Sequence, residues 1–340
     1  MELTFLGTGT SHGVPVIKCK CSVCKSTDQK DKRFRSSVYF TSNNGTNILI
    51  DMGQDFRQQA IIHDIEKIDA VLLTHHHADH LFGIDDLRVF SCSGPHKENA
   101  NSEKYDAPAI PIYMNQIAAN YIQDAFSYMI MNKKEGGGTA KISINVPTQS
   151  FVINDVNITP IPMMHGSLAT YGWVLNNLAY LTDCNFISQQ SFELINKTCS
   201  CLEYLIIDGL RVKEHSTHFN LSQAMEAANK INCKNVYFTH LTHNHSHEEV
   251  NDFINFSKCN NNSQHRPTFV KGHHYKGQPI MIDEFAGIGF KTNDDEGWGY
   301  GDKVKSKEAY VERLASLVKV IRENKNICGF CVTQTTDVYH

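Results

Sequence analysis

The segment "IDAVLLTHHHADH" (68–80) constrains this chain most. An aliphatic run ends at Thr74, and His75, His76, His77, Asp79 and His80 follow at once. A lone buried histidine is common in protein cores. Five metal-capable side chains within six positions, directly after a strand, are a different object. A strand that stops and presents polar ligands in its following loop belongs to a layered α/β protein, in which a rigid sheet fixes the loop. The pattern recurs along the chain. "ILIDMG" delivers Asp51, "PIPMMHG" delivers His165, "AYLTDCN" delivers Asp183 and "VYFTHLTH" delivers His240.

His75 and His77 are two apart, so in an extended segment they face one side. Asp79 and His80 follow on a turn or new helix, able to serve a neighbouring ion, and His76 points away. Zinc takes imidazole nitrogens and carboxylate oxygens, and a catalytic site leaves one position for water. Two such ions need more ligands than this loop offers. His165, Asp183 and His240 at the other strand ends supply them.

The composition, 41% hydrophobic and 20% charged over 340 residues, is that of an ordinary soluble chain with one large or two smaller domains. A net charge of -4 gives no reason to expect a nucleic-acid coat or a basic membrane face. No apolar run reaches the roughly 18 residues of a membrane span, and the N-terminus reads as a strand entering a glycine loop. Eleven cysteines in clusters suggest a reducing cytoplasm and metal binding rather than a disulfide framework. Helices are expected over 116–131, over 220–231 with Asn220 as cap, and over 306–324 with Ser306 as cap. Residues 132–141 read as a flexible loop.

This set of strand-end ligands resembles the metallo-β-lactamase superfamily, whose signature is His-x-His-x-Asp-His followed by His, Asp and His at later strand ends. The resemblance implies an α/β fold, the αββα four-layer sandwich. It implies that His75, His77 and His165 hold one catalytic divalent metal, zinc or manganese, that Asp79, His80 and His240 hold a second, and that Asp183 bridges them. Asp51 matches the early aspartate that braces the histidine loop. Two cations about 3.5–4 Å apart share a hydroxide and clamp substrate oxygens. With Asp183 as the one bridging carboxylate, the pair stays cationic and suits an anionic substrate.

"FLGTGTSHGVPVIKCKCSVCKS", "RSSVYF", "DFRQQ", "GIDDLR" and "HSTHFNLSQAM" narrow the resemblance to the PhnP-like branch, the phosphoribosyl cyclic phosphodiesterases, over residues 1–256. By that resemblance Cys19, Cys21 and Cys24 complete a structural zinc site with His243. Buried free thiols, or a redox pair of Cys21 and Cys24, are the competing readings. His218 matches a histidine near the metals that protonates a departing alkoxide or holds a phosphate oxygen. The catalytic assignments are Asp79, Asp183 and His218. Cys92, Cys184, Cys199, Cys201, Cys233 and Cys259 follow no zinc spacing, and the more apolar of them read as core.

The leading expectation is a cytoplasmic, binuclear metal-dependent hydrolase of a small cyclic or nucleotide-like phosphodiester. The resemblance adds a homodimer as one assembly, which no residue specifies. A ribonuclease Z-like or exonuclease-like enzyme is the alternative, through a modest basic cluster of Lys18, Lys20, Lys25, Lys30, Lys32, Arg33 and Arg35. A β-lactamase or thiolesterase is third, and an inactive fusion product stays open. That last reading comes from the tail. Residues 257–271 read as a linker, and 272–340 resemble the closing part of a glycoside hydrolase family 2 barrel, with Glu284 at the nucleophile position. Two strands and a helix cannot close an eight-stranded barrel, and a second carboxylate is missing, so no glycosidase activity is expected.

Overall fold

The computed structural model describes residues 1–91, 108–130 and 139–260, with the segments 280–285, 288–290, 300–304, 306–323 and 327–332. The chain divides into two compact units, Met1–Ser263 and Gln264–His340.

In the first unit, β1 (Glu2–Gly7), β2 (Ser37–Thr41), β3 (Asn47–Ile50), β4 (Ala70–Leu72), β5 (Ile110–Tyr113) and β6 (Ile142–Asn145) form one sheet in sequence order. β1, β2 and β3 pair antiparallel, and β3 to β6 run parallel. The second sheet holds β7 (Phe151–Ile153), β8 (Val156–His165), β9 (Leu168–Leu175), β10 (Leu178–Leu181), β11 (Phe186–Ile187), β12 (Leu202–Asp208) and β13 (Cys233–Thr239). Its order is β11-β8-β9-β10-β12-β13, with β7 beside β8.

Alternation along the strands builds the layers. Ile48, Ile50, Ala70 and Leu72 pack between the sheets against Ile158, Trp173, Tyr180 and Ile206. Their neighbours Leu49, Val71 and Leu73 face Phe56, Ala118 and Ile122 from helices Phe56–Ile62 and Gln116–Ala125. On the far side, Leu181, Leu205 and Ile207 pack against helices Gln189–Thr198 and Leu221–Ala228. Helix, sheet, sheet and helix follow in order. Each buried aliphatic contributes roughly 1.5–3 kcal/mol, so these three cores fix the strand ends firmly.

The expected helix over 116–131 is two helices, Gln116–Ala125 and Ser127–Ile130, parted at Phe126. Asn220 caps helix Leu221–Ala228 by accepting from Gln223 N at 2.8 Å, while Gln223 accepts from Asn220 N at 3.0 Å. Residues 257–260, expected in the linker, continue helix His247–Asn260. Residues 92–107, residue 131 of the expected helix, loop residues 132–138 and linker residues 261–271 lie outside the described residues.

In the second unit, β14 (Ile280–Phe285) pairs parallel with β17 (Ile327–Val332). β15 (Ile288–Phe290) pairs parallel with β16 (Tyr300–Val304) in a separate sheet. Helix Lys307–Glu323 is capped by Ser306, which accepts from Ala309 N at 3.1 Å. Strand, helix and parallel strand form a unit common to many α/β folds. Two sheets of two strands give the expected TIM-barrel likeness no support. Among the described residues, no helix is long and apolar enough to cross a membrane.

Candidate metal centre

Asp51 follows β3, and the 75–80 segment follows β4. His165 ends β8, Asp183 follows β10, Asp208 ends β12 and His240 follows β13. Asp51, Asp183 and His240 have φ of 61°, 51° and 60°. These are left-handed values, which aspartate and histidine tolerate better than most residues. The turn lets each chain leave its strand sharply and aim a side chain across the sheet ends.

Asp51 is fully buried and holds the histidine loop. Its carboxylate accepts from Thr74 N at 2.8 Å and from Thr74 Oγ1 at 2.9 Å, and lies 2.7 Å from His80 Nδ1. That contact turns His80 Nε2 toward Asp79 and Asp183. A Cβ at Gly53 would lie 2.0 Å from Asp79 O, so only glycine lets this turn pass beneath helix Ala78–Leu81. His165 Nδ1 donates to Thr217 O at 2.8 Å and likewise frees Nε2.

The donors converge in overlapping groups: His75, His77 and His165; Asp79, His80 and His240; and His75, His80 and Asp183, with ligand atoms within 4.8 Å of one another in each group. Asp183 Oδ2 lies 2.6 Å from His80 Nε2 and 3.3 Å from His240 Nε2. The 2.6 Å approach is a charge contact without hydrogen-bond alignment. His75 Nε2, His80 Nε2 and Asp183 Oδ2 are all buried with no hydrogen-bond partner. Orphaned donors of this kind are costly unless a cation accepts them. The residues therefore fit a pair of divalent ions. His76 is turned to Tyr121, with ring centroids 4.7 Å apart.

The electrostatics of three of the histidines and of Asp183 agree with that fit, while His80 is held toward its charged form by the carboxylates around it. Burial pushes His75, His77 and His165 down, toward the neutral form that ligates metal. Burial opposes ionisation of Asp183, but His240 and His80 hold its carboxyl well below the carboxylate range. Burial likewise opposes charge on His80, and Asp183, Asp79 and Asp51 outweigh it and raise its pKa.

His218 reaches the same cluster from the loop before helix Leu221–Ala228. Its ring lies 4.5 Å from that of His165 and 4.8 Å from that of His240, centroid to centroid. Sequence reading missed its partner. His218 Nδ1 lies 2.8 Å from Asp208 Oδ2, and Asp208 also accepts from Cys184 N at 3.0 Å. Burial pushes the Asp208 carboxyl up and the His218 imidazole down. The signal was available, since "LIIDG" ends a strand as "LIDMG" does at Asp51.

The cysteine cluster forms beside this centre. His243 Nδ1 is 3.4 Å from Cys19 Sγ, 3.4 Å from Cys21 Sγ and 3.5 Å from Cys24 Sγ. Zn–S and Zn–N bonds of about 2.3 and 2.0–2.1 Å at a tetrahedral angle separate S from N by about 3.5 Å. The three near-equal distances match that cage. The Cys24 amide and His243 lower the Cys21 thiol to about 6, while burial raises Cys24 to about 11. Arg33, read in sequence as part of a basic surface, is instead buried with Asp31 at 3.5 Å. Arg33 donates to Thr242 O at 3.0 Å, and Asp31 accepts from His247 N at 2.7 Å. This pair clasps the segment that carries His243. Arg35 is likewise committed, to Asp55 at 2.7 Å.

Residues 46–241 match the model of a beta-lactamase superfamily domain. A solved diphosphatase of the PhnP family is similar at 36% identity, with a TM-score of 0.64 over 74% of this chain and 90% of that one. An octanoyltransferase of Porphyromonas gingivalis is 37% identical over 245 residues, 72% of this chain but 46% of that protein. Anti-Pycsar protein Apyc1 of Bacillus phage BSP38 is 36% identical over 64 residues, 18% of this chain and 24% of that protein. The chain thus spans less than half of these two curated relatives. The comparisons give no support to the glycoside hydrolase resemblance of the tail.

Proposed function

The chain belongs to the metallo-β-lactamase superfamily, in its PhnP-like branch, and from that premise we propose that it hydrolyses a small cyclic or nucleotide-like phosphodiester. The observation that carries this reading is the Asp208–His218 pair set against the two ligand groups. His75, His77 and His165 would hold one divalent cation and Asp79, His80 and His240 a second, with Asp183 serving both, and such ions would supply Lewis acidity and a water of pKa roughly 7. His80 and His240 keep Asp183 ionised. Asp51 and Thr74 fix the tautomer and direction of His80. Asp208 engages His218 Nδ1 and leaves Nε2 to carry a proton to the departing oxygen. A sugar alkoxide is a poor leaving group at neutral pH, so a positioned acid is useful to a phosphodiesterase. Cys19, Cys21, Cys24 and His243 would hold a structural zinc, which would anchor the His240 segment.

The burial of Arg33 and the pairing of Arg35 weaken the polymer-binding alternative. The similar diphosphatase favours a second reading, a substrate with a phosphoanhydride bond. Purified protein with zinc or manganese is to be assayed against a cyclic ribose phosphate, bis(p-nitrophenyl) phosphate, a nucleoside diphosphate and a tRNA precursor. Turnover of the first two supports the proposal. Turnover of the nucleoside diphosphate alone moves the reading to the anhydride, and turnover of tRNA alone sinks the small-substrate reading.

A further inference from the structure

The three residues from Asp183 to Asn185 reach further around the centre than the Asp183 carboxylate alone. Cys184 O accepts from Phe219 N at 2.8 Å, one residue past His218. Cys184 N donates to Asp208, the partner of His218, at 3.0 Å. Asn185 adds a side chain to this frame. Its Oδ1 accepts from Gly166 N at 2.8 Å, and its Nδ2 donates to Ser216 O at 2.9 Å. Its own N–H donates to Met164 O at 2.9 Å, which seats it at the end of β8. The two side-chain partners fix which way the amide faces. A flipped amide would set oxygen against the Ser216 carbonyl and NH2 against the Gly166 N–H.

Asn185 thereby joins two segments that flank the cluster. Gly166 directly follows the ligand His165, and Ser216 lies two residues before His218. The loop between β12 and helix Leu221–Ala228 is closed at its base, where Leu210 N donates to Phe219 O at 3.0 Å and Leu221 N donates to Arg211 O at 3.0 Å. Its outer residues 213–216 are exposed. Arg211 folds back on them, donating to Lys213 O at 3.2 Å and to Glu214 O at 3.3 Å. Two successive carbonyls are held from outside the loop, Ser216 O by Asn185 and Thr217 O by His165 Nδ1 at 2.8 Å. The His165 turn is shaped to receive them. Gly166 has φ of 62°, and a Cβ there would lie 2.8 Å from Thr217 Cγ2, so glycine lets the loop close against the turn.

We propose that Asn185 is a positioning residue, which latches the 211–218 loop to the His165 turn and so holds His218 where it can protonate a leaving oxygen. The chemistry rests on the phosphodiesterase reading, and the latch rests on the hydrogen bonds alone. Asp208 restrains the His218 ring at Nδ1, at 2.8 Å, but one hydrogen bond to a ring does not fix the backbone that carries it. Asn185 restrains that backbone at Ser216, and Cys184 O restrains it at Phe219, one on either side of His218. Asparagine suits the task because one planar group offers an acceptor and a donor, whereas an aspartate accepts only. His165 still holds Thr217 O when Asn185 is changed, so the loop loosens and stays in place.

The test compares full-length, metal-loaded wild type with Asn185→Asp and Asn185→Ala. Turnover of a cyclic ribose phosphate is expected to fall about tenfold in both variants, the upper worth of one ordinary hydrogen bond, with metal content unchanged. With bis(p-nitrophenyl) phosphate, whose leaving group departs unaided, the loss should be much smaller. In a His218→Asn background either substitution should cost little more, because residues that act as one unit are not additive. Hydrogen exchange in the peptide spanning 211–219 should be faster in both variants. Equal losses on the two substrates overturn the proposal, as does a full tenfold loss on top of His218→Asn. Loss of metal in either variant overturns it too, and so does a loss confined to Asn185→Asp, which would be an effect of charge. Unchanged exchange overturns the latch whatever the kinetics. A wild type that turns over neither substrate, with exchange still faster in the variants, overturns the phosphodiesterase reading and supports the latch.

Discussion

The histidine–aspartate centre and the Cys19–Cys21–Cys24–His243 cluster meet on one short segment, since His240 serves one and His243 the other. The first draws donors from many strand ends. All but His77 lie within the fold, and His75, His80 and His165 are each oriented by a second group, Thr74, Asp51 and Thr217 O. The second draws three donors from one short loop and a single residue from afar, and its Cys19 and Cys21 are only half-buried. A centre assembled from the whole fold tolerates loss of a ligand structurally, because three hydrophobic cores still hold the strand ends. The loop cluster rests on a small core around Val14, Val23 and Cys24 and on the Arg33–Asp31 pair, so a metal bound there would be part of its folding. Function and stability should therefore separate between the two.

Asp183→Asn should break the comparison most sharply. Hydrolysis is expected to fall by well over about 100-fold, the upper loss seen when even outer-shell partners of a metal site are removed. Metal analysis should find the thiol cluster still filled. Loss of both metals together would mean the two sites are one cooperative unit.

His218→Asn should lower turnover of a cyclic ribose phosphate by about 100-fold, the lower range for a general acid. With a p-nitrophenolate leaving group, which departs unaided, the loss should be much smaller. Equal losses on both substrates would remove the acid role and leave a binding role.

Cys21→Ser should lose one metal and lower the melting temperature, while the remaining enzyme keeps measurable hydrolysis. A shift of about 2–4 °C accompanies each kcal/mol lost in a domain of this size class. An unchanged melting temperature with full metal content would show that the cluster is not structural.

Asp31→Asn is the mildest test, expected to cost about 1–3 kcal/mol because Arg33 stays buried without its carboxylate. Burial works against the charge on Asp31, but the His247 amide and Arg33 hold its pKa below the usual carboxylate value. A depressed folded pKa means that its stabilisation is present above the unfolded carboxylate pKa of about 3.9. It is lost as pH falls through the lower folded value. Urea midpoints measured across that acidic window should converge for wild type and variant. Parallel curves would assign the effect to packing.

The strand ends were legible because alternating aliphatics and abrupt polar residues report sheet and loop directly. Asn220 and Ser306 were legible as caps, since capping is decided within one turn of chain. What escaped reading is set by register and burial. Asp208 reads as one more strand end until the fold swings His218 against it. Arg33 reads as surface charge until Asp31 and the Thr242 carbonyl enclose it.

The left-handed turns at Asp51, Asp183 and His240 have an evolutionary consequence. A non-glycine residue held in a sparsely populated backbone region costs about 1–3 kcal/mol, and three together approach a sizeable part of a domain's net stability. Selection for folding alone pulls these positions toward glycine, and selection for hydrolysis pulls back. A descendant released from its reaction would drift at these three positions early, becoming more stable as it lost its ligands. The backbone angle marks where decay of function would first be written into the sequence.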